Sequence, residues 1–310
     1  MTSEPRIDNL FGDQISLMTR LWSQAIQIHY PESVHMWRDP VIHLEVMNQT
    51  LLGAVKKLDW SRFLGNTGVT VLDLGGTGWL SAFLSKYACV NRIDALDSDR
   101  NHLELMLPKI TELLGGDFSR IRPYLGLMDP LPFPDEAYDV VVASSSIHHT
   151  SHLFSALSGL RRVLRRDGVL MLLNETPRTF DEYLVYSLGI IHLLLDRVCR
   201  RSSTEFQVSL GANGILYDPK LGDTAFAFHQ YPNALTHAGL RCGIIRAGVY
   251  KGPPDPAGGD ELVHFICVRS DGDRDILALG GRQISALEME TATPPTLDRA
   301  EKVMKAVYGG

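Results

Sequence analysis

Val71-Leu72-Asp73-Leu74-Gly75-Gly76-Thr77-Gly78-Trp79 is the stretch on which the reading of this chain turns. An apolar strand ends in an acid, turns on glycines and enters an apolar stretch of helical character, 80–87. Glycine accepts the positive φ of such a turn and lets a ligand approach bare main chain. The amides that open the next helix face the same spot. An α/β sheet holds a nucleotide-like cofactor in this way. A second apolar run, Ile93-Asp94-Ala95-Leu96-Asp97, ends in an acid 24 residues after Asp73. A carboxylate at that strand tip is placed to accept hydrogen bonds from ribose hydroxyls.

Working outward, short apolar strands alternate with helices. Residues 70–74, 92–96, 122–125, 138–143 and 169–173 read as strands one to five. Strands four and five are almost continuously apolar, as burial on both faces of a parallel sheet requires. Residues 151–164 suit the crossover helix between them, and Arg166-Asp167-Gly168 the turn out of it. Residues 243–250 and 262–269 read as an antiparallel strand pair joined by a Gly/Pro loop over 252–259, with a short helix at 233–238 just before. Upstream, Asp39-Pro40 is a strong helix start, a side-chain cap followed by a fixed φ. The fold expected is α/β: a doubly wound, mostly parallel seven-stranded Rossmann-like sheet with an antiparallel edge hairpin. N-terminal helices flank it, and a helical insertion reads as a lid: 183–198 as an apolar helix, 211–223 as loop.

The bulk numbers set limits. A chain of 310 residues buries roughly three quarters of its unfolded surface and needs no staples. A formal charge of −6 argues against a nucleic-acid partner, which calls for a basic face. The local basic clusters Arg161-Arg162, Arg165-Arg166 and Arg197, Arg200, Arg201 read as solvated faces. Cys89, Cys199, Cys242 and Cys267 are widely spaced without a CxxC pair, so no metal site is signalled; Cys89 and Cys267 read as buried thiols of a reducing compartment. The first residues lack a signal-peptide core, and the longest apolar run, 184–195, contains His192 and is too short for a bilayer. A cytoplasmic protein without membrane contact is expected.

Two further blocks sharpen the cofactor. One is Leu131-Pro132-Phe133-Pro134-Asp135-Glu136-Ala137-Tyr138-Asp139-Val140-Val141-Val142 followed by Ser144-Ser145-Ser146-Ile147-His148-His149; the other is Leu160-Arg161-Arg162-Val163-Leu164-Arg165-Arg166-Asp167-Gly168. With the glycine turn and Asp97, these resemble the class I S-adenosylmethionine-dependent methyltransferases, in the small-molecule branch with LPF and His-His motifs. The resemblance covers roughly 70–180. It implies S-adenosylmethionine as cofactor and a small-molecule methyl acceptor. It further implies that Asp73, Gly75, Gly76, Thr77 and Gly78 lie under the methionine part, with Trp79 beside the turn. Asp97, with Ser98 next to it, would hold the ribose, Met128 and Asp129 would flank the adenine, and Ser144 and Ser145 would border methionine and acceptor. Two departures stand out: the glycine turn is one residue shorter than D-x-G-x-G-x-G, and Leu127 replaces an acid before the LPF block. A nicotinamide-binding Rossmann fold fits less well, since G-x-G-x-x-G is not the spacing here.

On this reading the chain divides into an N-terminal helical cap (1–62), a cofactor-binding core (63–180), a helical insertion (181–232), the end of the core sheet (233–270) and a tail (271–310). An apolar stripe at 297–307 in the tail suits the core or a second copy of the chain. A hydroxyl acceptor must lose its proton, and histidine, partly neutral at pH 7, suits that task. His148 and His149 are therefore candidate bases, with at most one of the two facing the methyl group, since adjacent helical residues diverge by about 100°. Glu175, after strand five, is a further candidate base or a surface cap. Tyr30, Trp37 and His192 are candidates for the acceptor pocket, as are His29 and His35 by position. O-methylation of a secondary metabolite or sugar is the expectation. N- or C-methylation and a catalytically silent binding protein of the same fold are the alternatives.

Overall fold

A computed structural model of the chain describes residues 7–10, 38–49, 51–150, 152–177, 209–210, 216–218, 223–224, 226–250, 261–280 and 282–283. The principal elements are α1 (Pro40–Gln49), α2 (Leu51–Val55), β1 (Val69–Leu74), α3 (Trp79–Leu84), β2 (Val90–Asp97), α4 (Leu107–Leu114), β3 (Ile121–Leu125), β4 (Tyr138–Ser144), α5 (Leu153–Val163), β5 (Leu164–Glu175), α6 (Gln230–His237), β6 (Leu240–Val249) and β7 (Glu261–Arg269). The seven strands lie in the order β3-β2-β1-β4-β5-β7-β6, and a two-residue strand extends each edge, Asp8–Asn9 beside β3 and Arg282–Gln283 beside β6. All neighbours among β1 to β5 are parallel; β7 runs antiparallel to both β5 and β6. This is the expected doubly wound sheet with its antiparallel edge pair.

The central strands are apolar on both faces because helices cover both. Val71, Ile93, Val140, Val142, Met171 and Ile266 pack with residues of α1 to α4. Leu72, Leu74, Val141, Leu170, Leu172 and Phe265 pack with residues of α5 and α6. Asp39 caps α1 as its position foretold: Oδ1 accepts from the amides of Val41 at 2.8 Å and Ile42 at 3.2 Å.

Three local expectations are corrected. The turn expected at Arg166-Asp167-Gly168 lies inside β5: Tyr138 pairs with Leu164 and Val140 with Val169, so 165–168 bulge out opposite Asp139. Gly168 is required there, since a Cβ would sit 2.8 Å from the Asp139 carbonyl oxygen. The described part of the segment read as loop over 211–223 holds strand instead: Leu216–Asp218 pairs with Ser209–Leu210 and Asp223–Thr224. The arginines of the third block are not merely solvated. Arg162 donates to the carbonyls of Phe133 and Leu131 at 2.7 and 2.8 Å, and Arg165 to Asp139 at 2.5 Å. With Tyr138 donating to buried Asp94 at 2.8 Å and the Thr70 amide donating to Asp139 at 2.8 Å, the LPF block is pinned to the sheet. Of the thiols, Cys267 is buried and Cys89 is half-buried. The helix expected at 183–198, the loop at 252–259 and the tail stripe at 297–307 lie outside the described residues.

Candidate functional site

The order of the strands reverses between β1 and β4, and ligands of open α/β sheets bind at the carboxyl ends of the strands at such a point. Three non-glycine residues with positive φ sit at these ends: Thr77 (60°), Ser145 (48°) and Asn174 (56°). Such backbone costs about 1–3 kcal/mol per residue and collects at functional sites.

The shortened glycine turn closes as a single tight turn over Gly76–Gly78, flanked by Gly75 at φ 71° and ending on Gly78 at φ 86°. The room that both flanking glycines leave is taken by protein. A Cβ on Gly75 would meet Ser146 Cβ at 2.9 Å, and one on Gly78 would meet Leu107 Cδ1 at 2.4 Å. Ser146 in turn donates from Oγ to the Leu74 carbonyl at 2.7 Å, locking the exit of β4 onto the exit of β1. Thr77 Oγ1 lies 2.6 Å from Nε2 of His43, a buried residue of α1.

Two acids flank the turn. Asp73 is buried; Ser81 Oγ donates to its Oδ2 at 2.5 Å, while its Oδ1 has no hydrogen-bond partner among the described residues. Burial outweighs the Ser81 bond and pushes this carboxyl up to about 7. Asp97 takes the Asp99 amide on Oδ1 at 2.8 Å, and its Oδ2 lies 3.2 Å from His102 Nδ1. Burial works against the Asp97 charge, but the His102 ring and the amides of Asp99 and Thr77 outweigh it, holding the carboxyl below its ordinary value. Burial likewise works against charge on His102, and Asp97 outweighs it, so the imidazole is raised. His102 was not singled out from the sequence; the signal was its place five residues after an acid-terminated strand.

The second cluster joins β4, β5 and α6. His148 Nδ1 lies 2.9 Å from Glu175 Oε2, and the Tyr231 hydroxyl donates to the same oxygen at 3.1 Å. The amides of Ser146 and Ile147 donate to Oε1 at 3.3 and 3.4 Å. Glu175 is fully buried, so it is no surface cap; His148 keeps 13% of its side chain exposed. The His149 ring stands 4.5 Å from that of His148. Tyr231, also missed in the sequence, stacks on Phe265 with centroids 4.9 Å apart and planes 7° from parallel.

The other expected site residues are spread. Ser144 is buried and accepts from Asn174 Nδ2 at 3.0 Å, and the Ser145 amide donates to the Leu173 carbonyl. Met128 is half-buried against the core, and Asp129 Oδ1 accepts from Ser155 at 3.1 Å. Ser98 is half-buried next to Asp97. Trp79 is 1% exposed and packs in the core. Tyr30, Trp37, His192, His29 and His35 lie outside the described residues. Among the described residues no cluster could hold a metal ion, and no helix is long and apolar enough to cross a membrane.

Residues 72–172 match the family model of a methyltransferase domain. The chain is similar to the ubiquinone/menaquinone biosynthesis C-methyltransferase of Vibrio vulnificus, 28% identical over 158 residues, which cover 48% of this chain and 60% of that enzyme. It is also similar to the uncharacterized methyltransferase YcgJ of Bacillus subtilis, 28% identical over 154 residues, covering 47% of this chain and 57% of that one. The match thus spans less than two thirds of either relative. Among solved structures, a SAM-dependent methyltransferase from Aquifex aeolicus superposes with a TM-score of 0.42 and 16% identity, covering 79% of this chain and 96% of that one.

Proposed function

We propose that the chain is an S-adenosylmethionine-dependent methyltransferase that methylates a hydroxyl of a small molecule, with His148 as the base. The observation that carries the catalytic part is the 2.9 Å contact of His148 Nδ1 with buried Glu175 at the carboxyl edge of the sheet.

The residues at the glycine turn fit the cofactor. Asp73 offers a buried carboxylate oxygen that lacks a donor among the described residues, which suits a ligand bearing positive charge. Asp97 is kept ionised at the tip of β2, where it can accept from a ribose. When bound, the cofactor supplies an electrophilic methyl group on a cationic sulfur, and the protein supplies binding and orientation. Holding nucleophile and methyl donor together is worth up to about 7–11 kcal/mol.

Glu175 accepts from Nδ1–H of His148, which puts the lone pair of the neutral ring on Nε2. Nε2 then takes the proton of the acceptor hydroxyl as its oxygen becomes a nucleophile, and Glu175 compensates the imidazolium formed. General-base help of this kind is worth about a hundred- to ten-thousandfold. Glu175 is thereby a positioning group, since Tyr231 and the amides of Ser146 and Ile147 already engage it. C-methylation is the second reading, favoured by the similarity to the Vibrio enzyme, a C-methyltransferase; there the same proton acceptance would serve a carbon nucleophile.

The test is methyl transfer from a carbon-labelled donor to a panel of phenols, sugars and hydroxylated ketones, with NMR of the product locating the label. Label on oxygen, reduced about a hundredfold or more by His148→Gln, is expected. Label on carbon would select the second reading. Cofactor binding without transfer to any acceptor would select the silent binding protein.

A further inference from the structure

Tyr231 reaches Glu175 from α6, an element distant in sequence from the glycine turn. It opens α6, directly after the segment that follows Asp223–Thr224. That segment is fastened on both sides of the His148–Glu175 pair: Thr224 Oγ1 donates to the Thr150 carbonyl at 3.1 Å, one residue past the His-His doublet, and Tyr231 donates to Glu175. The Tyr231 ring is fixed by its stack on Phe265 and by an edge contact with Phe226 at 6.0 Å.

We propose that Tyr231 is a positioning residue that sets the proton affinity of His148 through Glu175. Both donors share one oxygen, Oε2, so they compete for the same carboxylate charge. A phenol hydroxyl donating to a buried carboxylate draws charge from it and weakens its hold on the neighbouring imidazolium. His148 then gives up its proton more readily than it would beside a carboxylate without that bond, and only the neutral ring can act as a base. Among the described residues, the titratable groups facing His148 are Glu175 from β5 and His149 from its own turn, with Tyr231 acting on Glu175 from α6. The inference deepens the base assignment and rests on it for its catalytic meaning.

The test follows the His148 imidazole by NMR titration of the full chain, the signal being identified by its loss in His148→Gln. Tyr231→Phe deletes only the hydroxyl. The midpoint of His148 should rise by roughly half a pH unit or more. An unchanged or lowered midpoint overturns the proposal. Phe265→Leu disturbs the stack but keeps the hydroxyl; an equal rise there would assign the effect to packing and also overturn it. Incorporation of 3-fluorotyrosine, which leaves the sequence intact and makes the phenol a stronger donor, should lower the midpoint, and a rise would again overturn it. None of these readings needs an acceptor. Undiminished methyl transfer by His148→Gln would remove the base assignment separately and leave the titration result standing.

Discussion

His43 and Thr77 join the N-terminal helix to the glycine turn: their Nε2 and Oγ1 atoms lie 2.6 Å apart, and both side chains are buried. Thr77 holds a left-handed backbone, φ 60°, at the centre of that turn. A strained residue keeps its conformation only where its surroundings over-determine it, and α1 supplies one such restraint. His43→Phe keeps a ring of similar size and deletes the bond. It should lower stability by about 1 kcal/mol in urea unfolding and weaken S-adenosylhomocysteine binding in titration calorimetry. Unaltered affinity would show that α1 packs beside the turn without shaping it.

Gly78 gives a sharper test of the same turn. Its φ of 86° disfavours any side chain, and a Cβ would lie 2.4 Å from Leu107 Cδ1 and 2.9 Å from Leu107 Cβ. Gly78→Ala should cost roughly 2–4 kcal/mol from backbone strain and overpacking together. Gly115→Ala shares the positive φ, 65°, but a Cβ there meets nothing within 4 Å among the described residues, so its loss should be smaller by the packing part. Equal losses in thermal unfolding would refute the close-packing role assigned to Gly78.

The strands were legible because burial on both faces leaves long apolar runs, and α1 because Asp39-Pro40 is a local signal. What escaped the sequence is non-local. The Arg166-Asp167-Gly168 turn looks the same whether it ends a helix or bulges from a strand; opposition to Asp139 decides, and that is pairing across the sheet. Arg162 reads as a surface charge until the LPF carbonyls come within reach. Glu175 and His148 stand 27 residues apart in sequence, and Tyr231 stands 56 from Glu175; no periodicity marks such a convergence. Adjacency to the turn in sequence likewise says nothing about which way a helix residue faces, and Trp79 packs in the core.

Asp97 and His102 form a half-buried pair with a defined pH window. The Asp97 carboxyl is lowered, so its contribution is present above its unfolded value and is lost as pH falls through the native one. The His102 imidazole is raised, so its contribution is present below about 6.5 and is lost as pH rises through the native value. The pair therefore stabilises most between about pH 4 and pH 6.5. His102→Gln should lose more stability relative to the native chain at about pH 5.5 than at about pH 8.5, measured by denaturant unfolding. Asp97→Ala should weaken S-adenosylhomocysteine binding about tenfold or more, the loss of a charge-assisted hydrogen bond.

Asp73 has the opposite dependence. Burial, only partly offset by the Ser81 bond at 2.5 Å, lifts its carboxyl from 3.8 to about 7. Between those values the native chain holds a proton that the unfolded chain has released, so this group makes the native state less stable as pH rises. The deficit is absent below about 3.8 and complete above about 7. Asp73→Asn removes the titration and keeps an acceptor for Ser81. The variant should gain on the native chain by up to about 4 kcal/mol between about pH 4 and pH 8, read from urea unfolding at both ends. A cationic ligand at the turn favours the ionised carboxylate, so S-adenosylmethionine binding near neutral pH should release protons, seen as a buffer-dependent enthalpy in calorimetry that Asp73→Asn abolishes. A gain that is flat with pH, together with a buffer-independent enthalpy, would show that Asp73 is ionised without the ligand and that some other group supplies the donor Oδ1 lacks.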